Sequence, residues 1–412
     1  MKRVGIITKG SSEMMRKSFE NTFYKFMEKP EPRFDEDFGI YVHVPFCPTK
    51  CSFCPFYKEL FAEELKEQYM EAICGEIEET DMEGQSRWVY FGGGSPNTLT
   101  IDELGRIVGC FESKVKIEEM GIELLPIFVS FEYLRGLKEC GFTKISIGVE
   151  SFSKEVICKT GRKTSTYEHL KQIIEFARSL GLWVNVDMMV GLPDQDSNIF
   201  RKDIQRIATI YPDQITIYPF MVIGRMKATP GIPADEQFQL IEEVGERLSK
   251  NGYGRKGVWT FTLGDDIYDS SRDELTEDYA GFGPSAFSTY GNWKVVNPEI
   301  EVYLKDFENG KKMGFVAKKS KASDEWRKFA RMIYDLRYDN SFEFPFYIKS
   351  FISLMKLTGY IKGESLTEKG KIFAHKITKT VVESLPFPIQ KPDCIENYNE
   401  YISYKNTILT SN

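Results

Sequence analysis

From residue 39 onward, short apolar runs alternate along the chain with longer segments in which apolar residues recur every three or four positions. A short apolar run predicts a buried strand, and the longer spacing predicts a helix with one apolar face. Because the two kinds of segment alternate, we expect a parallel sheet whose strands are joined by crossover helices. The predicted strands are Ile40–Val44, Trp88–Phe91, Ile122–Leu124, Lys144–Val149, Trp183–Val190 and Gln214–Tyr218.

Amphipathic segments between and after these strands predict the helices. One of them begins with Thr100-Ile-Asp-Glu103, which matches a capping box. Ahead of the first strand, Ser11–Lys29 is predicted as a further helix that ends at Lys29-Pro-Glu-Pro-Arg. The other predicted helices are Glu63–Glu79, Thr100–Glu112, Phe131–Cys140, Tyr167–Leu180, Ile199–Thr209 and Pro233–Lys250.

The pattern changes after Tyr218-Pro-Phe. The stretch Thr262–Glu277 is polar and is predicted as a surface loop, and short helices follow from about Ala317 to Leu385. The segment Lys391–Asn412 gives no clear pattern. The chain is therefore divided into an N-terminal arm (1–38), a barrel core (39–260), a connecting segment (261–316) and a C-terminal helical domain (317–412).

Composition limits the class of protein. The 412 residues are 42% hydrophobic and 28% charged, which is typical of a globular chain, and the net charge of −7 gives no reason to expect a nucleic-acid partner. No run approaches the ~18 apolar residues of a membrane span, and the N-terminus lacks the apolar stretch of a signal peptide. We therefore expect a cytoplasmic protein without a membrane span, whose eight cysteines stay reduced.

Three of the cysteines, Cys47, Cys51 and Cys54, stand at C-x3-C-x2-C spacing directly after the first predicted strand. Thiolates are soft ligands suited to zinc, copper(I) or iron–sulfur clusters. Three of them on one loop can hold three corners of a [4Fe–4S] cube and leave one iron open to a small chelating molecule. A structural zinc site is the alternative, but it needs a fourth ligand, for which only His43 and Cys74 stand near.

Five motifs follow one another along the chain: Tyr41-Val-His-Val-Pro-Phe-Cys, Tyr90-Phe-Gly-Gly-Gly-Ser-Pro, Ile145-Ser-Ile-Gly-Val-Glu-Ser-Phe, Gly161-Arg162 and Val186-Asp-Met-Met-Val-Gly-Leu-Pro. In this order they resemble the motifs of the HemN/HemW group of radical S-adenosylmethionine (SAM) proteins, which includes oxygen-independent coproporphyrinogen III oxidase. A weaker similarity is Gly281-Phe-Gly-Pro-Ser-Ala-Phe-Ser. The resemblance implies an α/β fold, a partial (β/α)6 radical SAM barrel with a small helical, winged-helix-like C-terminal domain, and chemistry at the C-terminal strand ends.

The same resemblance implies the cofactors: a [4Fe–4S] cluster on Cys47, Cys51 and Cys54, and one or two molecules of SAM. Reduction of SAM would give methionine and a 5′-deoxyadenosyl radical that acts on a small organic substrate. The electron would come from a donor such as flavodoxin or ferredoxin.

Matching positions also imply residue roles. Phe53 would lie against adenine, and Arg162 would pair with the SAM carboxylate. Tyr41 and His43 are the candidate catalytic residues, although His43 is equally compatible with a buried core histidine. The full set implied to bind SAM is Phe53, Gly92, Gly93, Gly94, Glu123, Glu150, Arg162 and Asp187.

The chain departs from its relatives at several positions. Phe56 stands where coproporphyrinogen oxidases carry another cysteine, and Glu150 stands where a glutamine is usual. The stretch Thr262–Ala280 lacks the histidine of the HemW heme-binding element. The resulting hypothesis is a radical SAM enzyme that performs class C-type methyl transfer. The alternatives are oxygen-independent coproporphyrinogen III oxidase and a non-catalytic, heme-binding HemW-like protein.

Overall fold

Six parallel strands form the centre of a 13-stranded sheet in the computed structural model of this chain. The structure describes residues 23–32, 34, 37–223, 226, 228–267, 278–336, 343–384, 388–389 and 391–410. In chain order the strands are β1 (Lys25–Glu28), β2 (Phe38–Val44), β3 (Phe46–Cys47), β4 (Glu59–Leu60), β5 (Gln85–Gly93), β6 (Lys116–Leu124), β7 (Lys144–Glu150), β8 (Trp183–Val190), β9 (Gln214–Pro219), β10 (Gly254–Arg255), β11 (Thr260–Thr262), β12 (Tyr279–Phe282), β13 (Phe287–Tyr290), β14 (Trp293–Val296), β15 (Met313–Lys318), β16 (Ile361–Lys362) and β17 (Ser365–Leu366).

Helices connect the central strands and cover the sheet, as the alternating pattern predicts. The capping box at Thr100 is present, because the Thr100 hydroxyl accepts from the Glu103 amide and the Glu103 carboxylate accepts from the Thr100 amide. The α-helices are α1 (Glu63–Glu79), α2 (Ile101–Glu112), α3 (Phe131–Glu139), α4 (Lys154–Thr160), α5 (Tyr167–Ser179), α6 (Ser197–Ala208), α7 (Ala234–Lys250), α8 (Ile300–Glu308), α9 (Lys321–Tyr334), α10 (Phe346–Leu357), α11 (Glu368–Ser384) and α12 (Tyr398–Thr410).

The strand order confirms the parallel barrel core. Strands β2, β5, β6, β7, β8 and β9 pair in that order and in parallel. Apolar side chains on both faces of these strands belong to one buried core. The outward-facing ones are buried because crossover helices cover the outer face of the sheet. All six predicted strands are confirmed, and their C-terminal ends meet at one edge.

Both ends of this core are extended by additional strands. β12 adds in parallel to β2, and β13, β14 and β15 continue antiparallel to the edge strand β1. On the other side β11 and β10 add antiparallel to β9. The connecting segment predicted over 261–316 therefore contributes strands to the same sheet.

The helix predicted over Ser11–Lys29 is wrong where the structure describes it, because Lys25–Glu28 is a strand. Phe26 is buried against Phe315 and Tyr401, whereas Lys25 and Met27 are exposed, so the local period is two residues. Residues 11–22 lie outside the described residues. So does most of the loop predicted over Thr262–Glu277, and so does Leu385.

Helix α11 in the C-terminal region is fixed to the barrel by a buried histidine. His375 is 0% exposed and stacks on Phe238 with ring centroids 5.2 Å apart. Trp259 Nε1–H donates to His375 Nδ1 (3.1 Å), so the proton of the neutral ring is on Nε2 and is donated to Glu242 (2.7 Å). Burial lowers the pKa of His375, which favours this neutral form.

The C-terminal region contains α9, α10 and α11, with the β16–β17 hairpin between the last two helices. This arrangement is compatible with the predicted winged-helix-like domain. Within the described ranges, none of the helices combines the length and apolar character needed to cross a membrane.

Candidate functional site

The three clustered cysteines lie on a loop that begins at the C-terminal end of β2. Strand β3 pairs in parallel with β4, with Cys47 opposite Leu60, and this pairing closes the loop at its base. The Ser52 amide donates to the Thr160 carbonyl (2.9 Å), which fixes the loop tip to the end of α4. These two contacts fix the backbone of the loop that carries Cys47, Cys51 and Cys54.

Burial governs the chemistry of these thiols. Burial, together with smaller effects of Cys54 and Cys51, raises the pKa of Cys47 to about 11, and the Ser95 hydroxyl, 3.4 Å from the sulfur, opposes the shift. Burial also raises the pKa of Cys51, and Arg162 opposes that shift. All three cysteines are free. The set is thus three adjacent thiols beside one guanidinium.

No group of three or more His, Cys, Asp or Glu side chains in the described ranges is arranged to hold a metal ion. A four-iron cube differs from a single ion, because each thiolate binds a separate iron. The three thiols on this one loop are soft ligands, which is the ligand type that iron–sulfur clusters require.

Gly93, the last residue of β5, and Gly94, which follows it, pack closely against the residues around the cysteine loop. Gly93 has φ +103°, and a Cβ there would lie 2.6 Å from the His43 ring. A Cβ on Gly94 would lie 2.7 Å from the Phe46 carbonyl oxygen. Because any larger residue would displace the loop, these positions require glycine for packing as well as for access to the backbone.

Arg162 and Glu150 form a largely shielded ion pair beside the cysteines, with side chains 14% and 11% exposed. Arg162 Nη2 lies 3.1 Å from Glu150 Oε1 and donates to the Gly148 carbonyl (2.6 Å). A bulge at the end of β7 gives Glu150 a φ of 65° and turns its side chain toward the arginine. Arg162 Nε is buried and has no hydrogen-bond partner among the described residues. The guanidinium therefore offers one unused donor.

Glu123 lies at the C-terminal end of β6, where Tyr90 donates to its Oε1 (2.5 Å). Burial raises the pKa of Glu123 to about 7; the Tyr90 hydrogen bond opposes the shift, and Asp187 and Glu150 add to it. Burial likewise raises the pKa of Glu150 to about 7. Three carboxyl groups thus lie near each other, and near neutral pH they do not all ionise.

Asp187, on β8, is oriented by buried polar neighbours. Ser146 donates to Asp187 Oδ2 (2.5 Å), and Asn185 Nδ2 donates to Asp187 Oδ1 (2.9 Å). Asn185 is itself fixed by Thr216, whose hydroxyl donates to Asn185 Oδ1 (2.9 Å). These contacts set the carboxylate plane while leaving its oxygens capable of accepting further hydrogen bonds.

His43 is buried between two tyrosines. Its Nε2 lies 3.1 Å from the Tyr57 carbonyl oxygen, which can only accept, so Nε2 carries the proton and Nδ1 accepts from the Tyr41 hydroxyl (3.1 Å). Burial lowers the pKa of His43 to about 4. The ring is therefore neutral, and in this arrangement it orients Tyr41 and the segment that follows Cys54.

Phe53 belongs to an apolar cluster with Val156, Met189, Leu192 and Phe220. The Arg162 guanidinium lies 5.8 Å from the centre of the Phe53 ring, within the range of a cation–π contact. The cysteine loop therefore presents an aromatic ring that has an apolar wall on one side and a cation on the other.

The structure brings the predicted site residues to one edge of the barrel. The cysteine loop contacts Arg162, and Glu123, Glu150 and Asp187 are close enough to alter one another's pKa. Sequence reasoning missed Tyr90, Ser146, Asn185 and Phe220. Asn185 could have been found, because it is a polar residue two positions before Asp187 in an apolar strand and therefore shares its face.

Residues 41–207 match the radical SAM superfamily. Oxygen-independent coproporphyrinogen III oxidase of Pseudomonas aeruginosa is 26% identical over 304 residues, which cover 66% of each chain. The heme chaperone HemW of Lactococcus lactis is 24% identical over 332 residues, which cover 75% of this chain and 86% of that protein.

In several relatives the match is partial. It spans 66% of the Pseudomonas protein and 56% of the coproporphyrinogen oxidase of Synechocystis. Among solved structures, coproporphyrinogen III oxidase (HemN) from Escherichia coli superposes with a TM-score of 0.71 at 22% identity, over 87% of this chain and 92% of that one. This likeness establishes the fold.

The thiol-bearing loop at the C-terminal edge of the parallel barrel and the superfamily match over residues 41–207 support a radical SAM protein. The similarity to coproporphyrinogen oxidases and to HemW, and the superposition on HemN, support a HemN/HemW-like one, in agreement with the motif resemblance. The superfamily implies a [4Fe–4S] cluster and SAM as cofactors. The residues present fit both groups: three free thiols suit the cluster, and the unpartnered Arg162 Nε suits a carboxylate.

Proposed function

We propose that this protein is a HemN-like radical SAM oxidoreductase that acts on a small organic substrate. The observation that carries the proposal is the buried Arg162, which joins the cysteine loop, Phe53 and Glu150 and keeps one donor free. When bound, the cluster supplies the electron for reductive cleavage of SAM into methionine and 5′-deoxyadenosine.

The side chains of this chain supply binding and orientation. Cys47, Cys51 and Cys54 would hold the cluster. Arg162 would grip the SAM carboxylate, and Phe53 would pack against adenine. Glu123 would accept hydrogen bonds from the SAM ammonium group. Asp187 and Glu150 would accept hydrogen bonds from the ribose hydroxyls.

A heme-carrier role has less support, although HemW proteins are among the relatives. The chain has three histidines. Both ring nitrogens of His43 and of His375 contact protein partners. His169 lies on α5, on a helix that covers the barrel. None of these positions offers a free imidazole beside the cysteine loop for heme ligation.

Turnover of coproporphyrinogen III tests the reaction type. Relatives that are coproporphyrinogen oxidases favour this oxidation, whereas the methyl-transfer hypothesis receives no support from the comparisons. We expect the reconstituted protein, with SAM and a reductant, to form protoporphyrinogen IX and 5′-deoxyadenosine without S-adenosylhomocysteine. Substrate-dependent S-adenosylhomocysteine would instead favour methyl transfer. SAM cleavage that is unaffected by coproporphyrinogen would leave the radical SAM activity but refute this substrate.

SAM affinity should depend on pH through Glu123. Its pKa of about 7 means that roughly a tenth of the carboxyl is ionised at pH 6 and roughly nine tenths at pH 8. Because SAM brings positive charge, its affinity should rise about tenfold over this interval, measured by equilibrium binding to the cluster-loaded protein. Glu123→Gln should make the profile shallower, and the remaining pH dependence should come from Glu150, whose pKa is also about 7. Glu119→Gln, which alters an exposed glutamate on the same strand, should leave it unchanged.

The same carboxyl should affect folding in the opposite direction. Between pH 4.5 and about 7 the folded protein binds the Glu123 proton more tightly than the unfolded chain does. The contribution of Glu123 to the free energy of unfolding therefore decreases as pH rises through that interval. Glu123→Gln should remove this part of the pH dependence in thermal unfolding of the SAM-free protein.

A further inference from the structure

The segment after β9 is held by one turn of helix α11. The Phe220 carbonyl accepts a hydrogen bond from Lys379 Nζ, and the Val222 amide donates to Glu383 Oε1 (2.9 Å). Lys379 and Glu383 are also paired with each other at 2.8 Å. We call these two side chains the α11 clamp. Two consecutive peptide groups of the barrel edge are thus bound from the C-terminal region.

The barrel and the α11 clamp fix opposite sides of Phe220. Its amide donates to the Val190 carbonyl (2.8 Å) and contacts Gln237 Oε1 (2.9 Å), both of which belong to the barrel core and its covering helix α7. Its carbonyl faces Lys379. The barrel therefore determines where the segment begins, and the α11 clamp determines the direction in which it continues.

This direction matters for the site because the Phe220 ring is 1% exposed and packs in the cluster that contains Phe53. Met226, further along the same segment, also packs against that cluster. Displacing the Phe220 carbonyl would therefore move the apolar side chains that pack against Phe53, the ring that we propose lies against adenine. Helix α11 can act as a fixed support, since His375 binds it to Glu242 and Trp259.

We propose that Lys379 and Glu383 are positioning residues through which the C-terminal region shapes the pocket for the adenosyl part of SAM. This inference rests on the proposed function, in which Phe53 lies against adenine. The Lys379 side chain is 14% exposed and that of Glu383 is 29% exposed, so the Lys379 ammonium is largely shielded from water whereas Glu383 is shielded only in part.

The same helix offers a matched control. Lys376 lies three positions earlier and pairs with Asp235 at 2.9 Å, but its side chain is 41% exposed and that of Asp235 is 74% exposed. Lys376→Met and Lys379→Met therefore remove the same charge from the same helix, and only the second removes a contact to the segment after β9.

The kinetic test uses the full-length, cluster-loaded protein and measures 5′-deoxyadenosine formation against SAM concentration. Because a hydrogen bond from a charged group is lost, Lys379→Met should raise the KM for SAM roughly fivefold to tenfold, with kcat within about twofold. Lys379→Arg should restore most of the affinity. Lys376→Met should resemble the wild type. Equal KM values for Lys379→Met and Lys376→Met would overturn the inference.

A second readout does not depend on activity. Hydrogen–deuterium exchange in peptides that cover residues 219–223 should become faster in Lys379→Met and in Glu383→Ala, but not in Lys376→Met. Unchanged exchange there would also overturn the inference. If the wild type cleaves no SAM, the proposed function and the adenosyl role fail together, whereas the exchange data still decide whether the α11 clamp holds the segment.

Discussion

The variant in which Cys47, Cys51 and Cys54 are all replaced by alanine should bind no iron–sulfur cluster and should cleave no SAM. The wild type should become brown on anaerobic reconstitution and should bind about four irons per chain, the content of one cube. Because the loop is closed by the β3–β4 pairing and by the Ser52–Thr160 hydrogen bond, the variant should still fold. Iron analysis, the visible spectrum and 5′-deoxyadenosine formation measure the outcome.

A matched control removes three other thiols. Cys110 and Cys140 are partly exposed, and Cys158 is exposed, so their replacement by alanine should cost little stability and should leave iron content unchanged. Equal iron loss in the two triple variants would contradict the assignment of the cluster to the loop. Stoichiometric zinc without iron uptake in the wild type would instead support the structural zinc site.

Replacing Arg162 by alanine should weaken SAM binding about 10-fold to 100-fold while leaving cluster content close to that of the wild type. The guanidinium is 14% exposed as a side chain, and its Nε has no partner among the described residues, so the loss removes a charge-assisted contact from a shielded site. Lysine at this position should restore only part of the affinity, because it cannot present two parallel donors to a carboxylate.

Arg162→Ala also leaves the buried Glu150 without its cation, which could lower stability as well as affinity. The double variant Arg162→Ala/Glu150→Gln separates the two effects, since it removes the unpaired charge. Arg201→Ala provides a matched control, because Arg201 pairs with Glu243 at 2.7 Å between two covering helices. Anaerobic titration calorimetry should show normal SAM binding for Arg201→Ala. Normal binding by Arg162→Ala would remove Arg162 from the site.

The sequence was sufficient to predict the barrel. Apolar runs separated by amphipathic segments specify a buried parallel sheet, and all six core strands and the helix over Glu63–Glu79 are found where the pattern places them. The capping box at Thr100 was also predicted correctly, because it depends on two residues only three positions apart. The thiol loop was also evident, because its three cysteines lie within a stretch of eight residues, from Cys47 to Cys54.

Local sequence patterns did not predict the contacts between distant parts of the chain. Phe26 is in a strand because it pairs with Phe315, on the far side of the sequence, and this tertiary pairing overrode the local helical spacing. The support of Phe220 by Lys379 joins residues 159 positions apart, and no local period indicates it.

The sequence by itself determined the alternation of strands and helices and the close spacing of the three loop thiols, because these depend on local periodicity and spacing. Only the tertiary structure decided the pKa values and the orientations of the side chains in the candidate site. Burial sets the pKa of Glu123 and of His43, Tyr90 and Asn185 orient the carboxylates, and the Arg162–Glu150 pair leaves one donor free. Desolvation and hydrogen-bond geometry depend on which side chains meet in space, and a linear pattern does not contain that information.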